Sequence, residues 1–237
     1  MALPPDTAES FVREVDENLR QDQMRQMAKR YGSWVVAAVV LFLAAVGGYL
    51  YWQHRQAELA VAESETMSAV LDKVGSGNLK GAQTELQPLS ESSNDVTRAT
   101  ALLGKAAIAL RQSDRKGAGA IYEQVAADTS IPQPFRDLAT VRATALEFDQ
   151  LKPDDVIARL SGLSKPGNAF FGSAGEMTGM ALLAKGDRAG AGQLFAKIAA
   201  DKQVPETIRS RAVQIAGSLG VDATASMPGD PAAILAQ

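Results

Sequence analysis

Apolar positions follow three different patterns along this chain. Near the start, Phe11, Val15 and Leu19 recur at four-residue spacing with Val12 adjoining, and Met24, Met27 and Tyr31 continue at three to four. That spacing lays one apolar stripe along a helix. Pro4-Pro5 holds the first residues extended, and Asp6 followed by Glu9 reads as the helix start. From Trp34 to Trp52 the pattern disappears into WVVAAVVLFLAAVGGYLYW, nineteen residues without a charge. Beyond it, amphipathic stretches broken by Gly, Pro, Asn and Asp predict helices over 53–75, 79–90, 95–112, 115–128, 134–150, 153–163, 171–185, 188–201 and 205–218. Runs of Val, Ile and Thr alternating with polar residues are hard to find outside the apolar stretch, so the predicted class is all-α.

Nineteen residues at about 1.5 Å each match the hydrocarbon thickness of a bilayer. Tyr31 and Trp34 stand at one end of the run and Tyr49, Tyr51 and Trp52 at the other, where amphipathic rings favour the headgroup level. A cleaved signal peptide is the rival reading, since Ala60-Val61-Ala62 has the small-x-small form of a cleavage site. Its leading region would hold 33 residues with six acidic side chains, however, and the site would lie well beyond the apolar run. An uncleaved anchor fits better. Arg20, Arg25, Lys29 and Arg30 precede the run closely, against Arg55 alone after it, which predicts a cytoplasmic N-terminus and a periplasmic remainder. The expected layout is a cytoplasmic tail at 1–33, a transmembrane helix at 34–52, a helical domain at 53–218 and a flexible tail at 219–237, where Pro228-Gly229 and Pro231 occur.

The helical domain repeats itself. Residues 113–136, SDRKGAGAIYEQVAADTSIPQPFR, recur at 186–209 as GDRAGAGQLFAKIAADKQVPETIR, and a weaker copy begins at Gly77 in GNLKGAQTELQPL. The period is near 36 residues, and the displacement of 73 is about twice that. Each copy has a small residue, then Asp or Asn, then Ala four positions on and a large apolar residue four further: Gly77, Asn78, Ala82, Leu86; Ser113, Asp114, Ala118, Tyr122; Gly186, Asp187, Ala191, Phe195. Gly tolerates a left-handed helix end, Asp or Asn caps the next helix, and Ala with a large residue at i+4 shares one packing face. The unit between them is degenerate: Phe135 to Phe148 and Pro153 to Leu163 read as its helices, but its turn is Gln150-Leu151-Lys152. These units resemble the tetratricopeptide repeat, which implies an α-solenoid of stacked helix pairs.

Composition removes several kinds of chemistry. A net charge of −3 with no basic segment argues against nucleic acid, and the absence of Cys excludes disulfides and thiolate chemistry. The lone His54 flanks the apolar run beside Arg55 and reads as an interfacial polar residue. Ser113-Asp114-Arg115-Lys116 has the S-x-x-K form of serine acyl-enzymes without the companion motifs. Gly117-Ala118-Gly119 and Gly190-Ala191-Gly192 follow no strand, which removes the dinucleotide reading. Asp154-Asp155 lacks a calcium-loop pattern. The expectation is a non-enzymatic protein without cofactor, metal or small-molecule substrate.

The whole arrangement resembles the ancillary SecYEG translocon subunit family. The likeness runs from the Gln-, Arg- and Met-rich tail ending in Lys29-Arg30-Tyr31-Gly32, through one anchor, to degenerate tetratricopeptide units. Membership implies an inner-membrane protein whose partners are the SecYEG translocon and periplasmic chaperones or secreted client proteins. The periodicity alone supports only a binding scaffold, and an adaptor for envelope biogenesis or cell division without translocon contact stays open beside it. Within such a scaffold, Phe11, Val15 and Leu19 of the tail and the small residues Ala44 and Gly48 of the anchor are the candidate contacts to a membrane partner.

Overall fold

The structure, a computed structural model, describes the backbone of residues 5–226 and the side chains of residues 27 and 29–226. Among the described residues there are nine α-helices, one short 3-10 turn and no strand. The chain divides into two compact units, 1–62 and 63–237.

The first unit is helical from Pro5, the first residue of α1 (Pro5–Gly75). The sequence predicts separate tail and anchor helices and a repeat helix from 53. The chain instead runs through all three without a break: no Pro lies between them, and Gly32 and Ser33 are taken into the helix rather than ending it. Among the described residues one helix is long and apolar enough to cross a membrane, and it lies near the N-terminus. Its apolar side chains face outward, Trp34 at 75% and Phe42 at 67% exposure, so the surface calls for a lipid environment. Tyr49 and Trp52 are neighbours, with ring centroids 6.3 Å apart, and the Arg30 guanidinium lies 5.7 Å from the Tyr31 ring centre. His54 pairs with Glu58 one turn on, at 3.4 Å.

The second unit stacks helix pairs. The end of α1 pairs with α2 (Leu79–Leu89), α3 (Asp95–Arg111) with α4 (Arg115–Ala127), α5 (Gln133–Glu147) with α6 (Pro153–Leu160), and α7 (Phe171–Ala184) with α8 (Arg188–Ala200). The last helix, α9 (Glu206–Ser218), closes the stack. Each pair's core is completed by the helix that follows it. Ala101 and Ile108 of α3 join Val70, Ala82 and Leu86, and Ala212, Val213 and Ala216 of α9 join Ala191, Phe195 and Ile198. Neighbour-on-neighbour cores of this kind make stability a sum of units and interfaces. Not every apolar residue of the first repeat helix shares in it. Met67, Val70 and Val74 lie at i, i+3 and i+7 on the packed face, whereas Leu71 is turned about 100° past Val70 and stays exposed.

The turns between paired helices carry the repeated signature. Gly77, Ser113 and Gly186 have φ of 79°, 65° and 83°. In each turn this residue's amide bonds back three residues and the next amide five, as in Asp187 N to Leu182 O at 2.9 Å. The residue closing one helix then caps the next. The side chains of Asn78, Asp114 and Asp187 accept from the amides of Gly81, Gly117 and Gly190 at 2.9, 2.8 and 2.8 Å. α6 starts without this device: Lys152 makes no side-chain cap and Pro153 occupies the first turn.

The same reversal ends α9, where Gly220 has φ 83° and Val221 N bonds to Ala216 O at 3.0 Å. Val221 stands where the other turns have Asn or Asp and supplies no cap. Residues 219–226, which the sequence assigns to a flexible tail, instead pack back: Ala223 is buried, and Leu219 and Val221 rest on the last core. Small apolar residues after the turn give this segment something to bury. Residues 227–237 lie outside the described residues.

Candidate protein-binding surfaces

The repeat-packing residues fall into two groups. Ala82, Ala118 and Ala191 have no exposed surface, and Leu86, Tyr122 and Phe195 fill the seams beside them. Gly77, Asn78, Ser113, Asp114, Gly186 and Asp187 are exposed at the turns, where their work is done by backbone conformation and capping. Of the candidate contacts to a membrane partner, Ala44 and Gly48 are exposed on α1, and a Cβ on Gly48 would meet nothing within 4 Å. Phe11, Val15 and Leu19 lie outside the residues whose side chains are described.

One packing device was not legible in the repeat motif. Gly172, Gly175 and Gly179 of α7 form a face without side chains, into which Val204, Ile198 and Phe195 press; a Cβ at these glycines would meet them at 2.8, 2.8 and 2.7 Å. The signal was available as three glycines at i, i+3 and i+7, the spacing of one helix face. Also on α7, Thr178 is 6% exposed, and its hydroxyl finds no partner among the described residues.

Polar side chains tie the loops together. Arg98, mostly buried, donates to Ser92 O at 2.9 Å and to Asp95 and Ser130, and lies 3.8 Å from Asp128. The Ser130 hydroxyl and amide hold the Asp128 carboxyl below its ordinary value, with help from Arg98. Asp222 is lowered in the same way by the amide and hydroxyl of Thr224. Arg211 binds Glu176 through two bonds, at 2.5 and 2.7 Å, which raises its pKa further and joins α9 to α7. These groups brace helices and loops. Among the described residues no cluster of three His, Cys, Asp or Glu is arranged to hold a metal.

The open surface does contain a groove. A cavity of about 540 Å³ lies between the start of α4 and the end of α5, bordered by Arg115, Lys116, Glu147 and Gln150 over a floor of Gly119 and Ala120. A second, of about 290 Å³, continues along α4 past Glu123 to Arg159 of α6, with Ala126, Ala143 and Thr144 beneath. It lies beside the eight-residue α6 of the degenerate unit, which contributes Arg159. Among the described residues lining these two cavities there is no Ser, Cys or His. What the surface offers is shape and charge for another chain.

Known proteins agree with this architecture. The family described as a tetratricopeptide repeat-like domain matches residues 25–216. The chain belongs to that family. The match begins before the apolar run, so this tetratricopeptide repeat-like protein carries anchor and repeats within one family pattern. It is also similar to a protein of Haemophilus influenzae named ancillary SecYEG translocon subunit, 24% identical over 181 residues that make up 76% of this chain and 87% of the relative. This bears out the family resemblance read from tail, anchor and repeats. No solved structure matches the chain.

Proposed function

We propose that this tetratricopeptide repeat-like protein is a non-enzymatic adaptor anchored in the bacterial inner membrane, ancillary to the SecYEG translocon. The observation that carries it is the similarity to the Haemophilus influenzae translocon subunit along 87% of that protein's length. Stacked helix pairs that follow a membrane-length apolar run in the chain support the same reading, because such stacks present wide surfaces to other proteins. The N-terminus is cytoplasmic, on the strength of the basic residues before Trp34. Phe11, Val15 and Leu19 with Ala44 and Gly48 contact the membrane complex, while the repeats, on the periplasmic side, hold emerging secreted chains and pass them to chaperones.

The test is purification of the full chain from membranes solubilised in mild detergent, after crosslinking in intact cells. The translocon is expected among the captured proteins, and deleting residues 1–30 is expected to reduce it while periplasmic proteins are still captured. Capture of envelope-assembly or division proteins without any translocon would replace this function by the adaptor role elsewhere in the envelope. Translocon capture that survives both the deletion and an unrelated apolar helix in place of 34–52 would move the contact to the repeats.

A further inference from the structure

The groove along α4 has an uneven distribution of charge. Toward its α6 end, Glu147, which borders the larger cavity, and Arg159, which borders the smaller, satisfy each other at 2.8 Å. At its other end the Arg115 guanidinium donates only to a backbone carbonyl, Leu146 O at 2.8 Å, and Lys116 makes no ion pair among the described residues. The nearest acid in sequence, Asp114, is engaged with the amide of Gly117. Two cations without carboxylate partners therefore border the larger cavity, at the helix end where the backbone dipole adds positive potential. Glu123, likewise without an ion pair, lies where the two cavities meet.

We propose that this groove docks an acidic segment of a partner protein. Carboxylates of the segment pair with Arg115 and Lys116, small side chains lie over Gly119 and Ala120, and a basic residue follows at Glu123. Lys116 and Glu123 are two helical turns apart, roughly 10.5 Å along the axis, which an extended segment spans in about three residues. The exposed Ala120, with only a methyl, lets the bound backbone come close. The groove is lined by α4, α5 and α6, and neither α3 nor α7 contributes to it. The inference rests on the adaptor function proposed above and specifies one partner chemistry for it.

The full chain in neutral-detergent micelles is titrated against a labelled decapeptide with two glutamates, three small residues and then a lysine, and against the same peptide with the charges exchanged. The first is expected to bind about tenfold tighter, as opposed charges at an interface discriminate partners. Lys116→Glu, at an exposed and unpaired position, is expected to abolish that preference with the helical circular dichroism unchanged. Ala120→Tyr, which fills the floor from an exposed position, is expected to weaken both peptides. Equal affinity for the two peptides, or a preference that survives Lys116→Glu, overturns the groove as an acidic-segment site. Absence of the translocon from the purified wild-type complex is a separate result that strikes the adaptor function itself.

Discussion

Ser113 shows what a repeat position demands of its residue. Gly77 and Gly186 hold the left-handed turn with no Cβ, whereas Ser113 holds it at φ 65° with one. Ser113→Gly is expected to stabilise the repeat unit by about 0.5–1 kcal/mol, read by urea denaturation of a fragment from residue 53 onward; a loss would mean the serine hydroxyl contributes more than the strain costs. Asp128 gives the pH dependence at this scale. Its folded pKa is lowered from 3.8, so its contribution is present above the ordinary value and is lost as pH falls through the lower folded one. Wild-type stability is expected to fall more steeply than that of Asp128→Asn as pH drops below 3.8, and parallel curves in acid denaturation would refute it.

At the scale of the element, α7 and α8 are interlocked through missing side chains. Gly179→Ala places a methyl 2.7 Å from the Phe195 ring, and Ala191→Leu pushes three more carbon atoms into a position with no free surface. Each is expected to cost about 1–3 kcal/mol in chemical denaturation, by overpacking. A neutral Ala191→Leu would show the repeat register to be misplaced. Thr178→Val acts in the other direction: it removes a buried hydroxyl without a partner while keeping the shape, and is expected to stabilise by about 1 kcal/mol. A lower denaturation midpoint for that variant would show that the hydroxyl is satisfied in solution.

For the whole molecule the expected behaviour is that of a single-span protein. It should remain in membranes through alkaline washing, and protease added outside spheroplasts should remove residues beyond about 55 and leave the tail, a pattern set by flanking basic charge. Release of a soluble fragment beginning near Glu63 would instead establish cleavage after Ala62. Because each core is closed by the next helix, truncation at residue 204, which removes α9, should expose Phe195 and Ile198 and destabilise the last pair more than the first.

The sequence by itself determined the helical class, the membrane-length run and the three capped turns. Each depends on near neighbours: a spacing of three to four, an unbroken apolar stretch, a Gly or Ser beside Asp or Asn. The predicted edges of α2 to α9 differ from those observed by no more than three residues, because caps and prolines act locally. Tertiary structure alone decided the rest. Leu71 and Val70 are equally apolar in sequence, and only the position of α2 separates exposed from buried. The glycines of α7 read as weak helix formers until Phe195, Ile198 and Val204 arrive from elements that follow it. The return of Val221 onto Gly192 required a surface built from other helices. The groove brings together residues of α4, α5 and α6, a relation between elements that no local pattern carries.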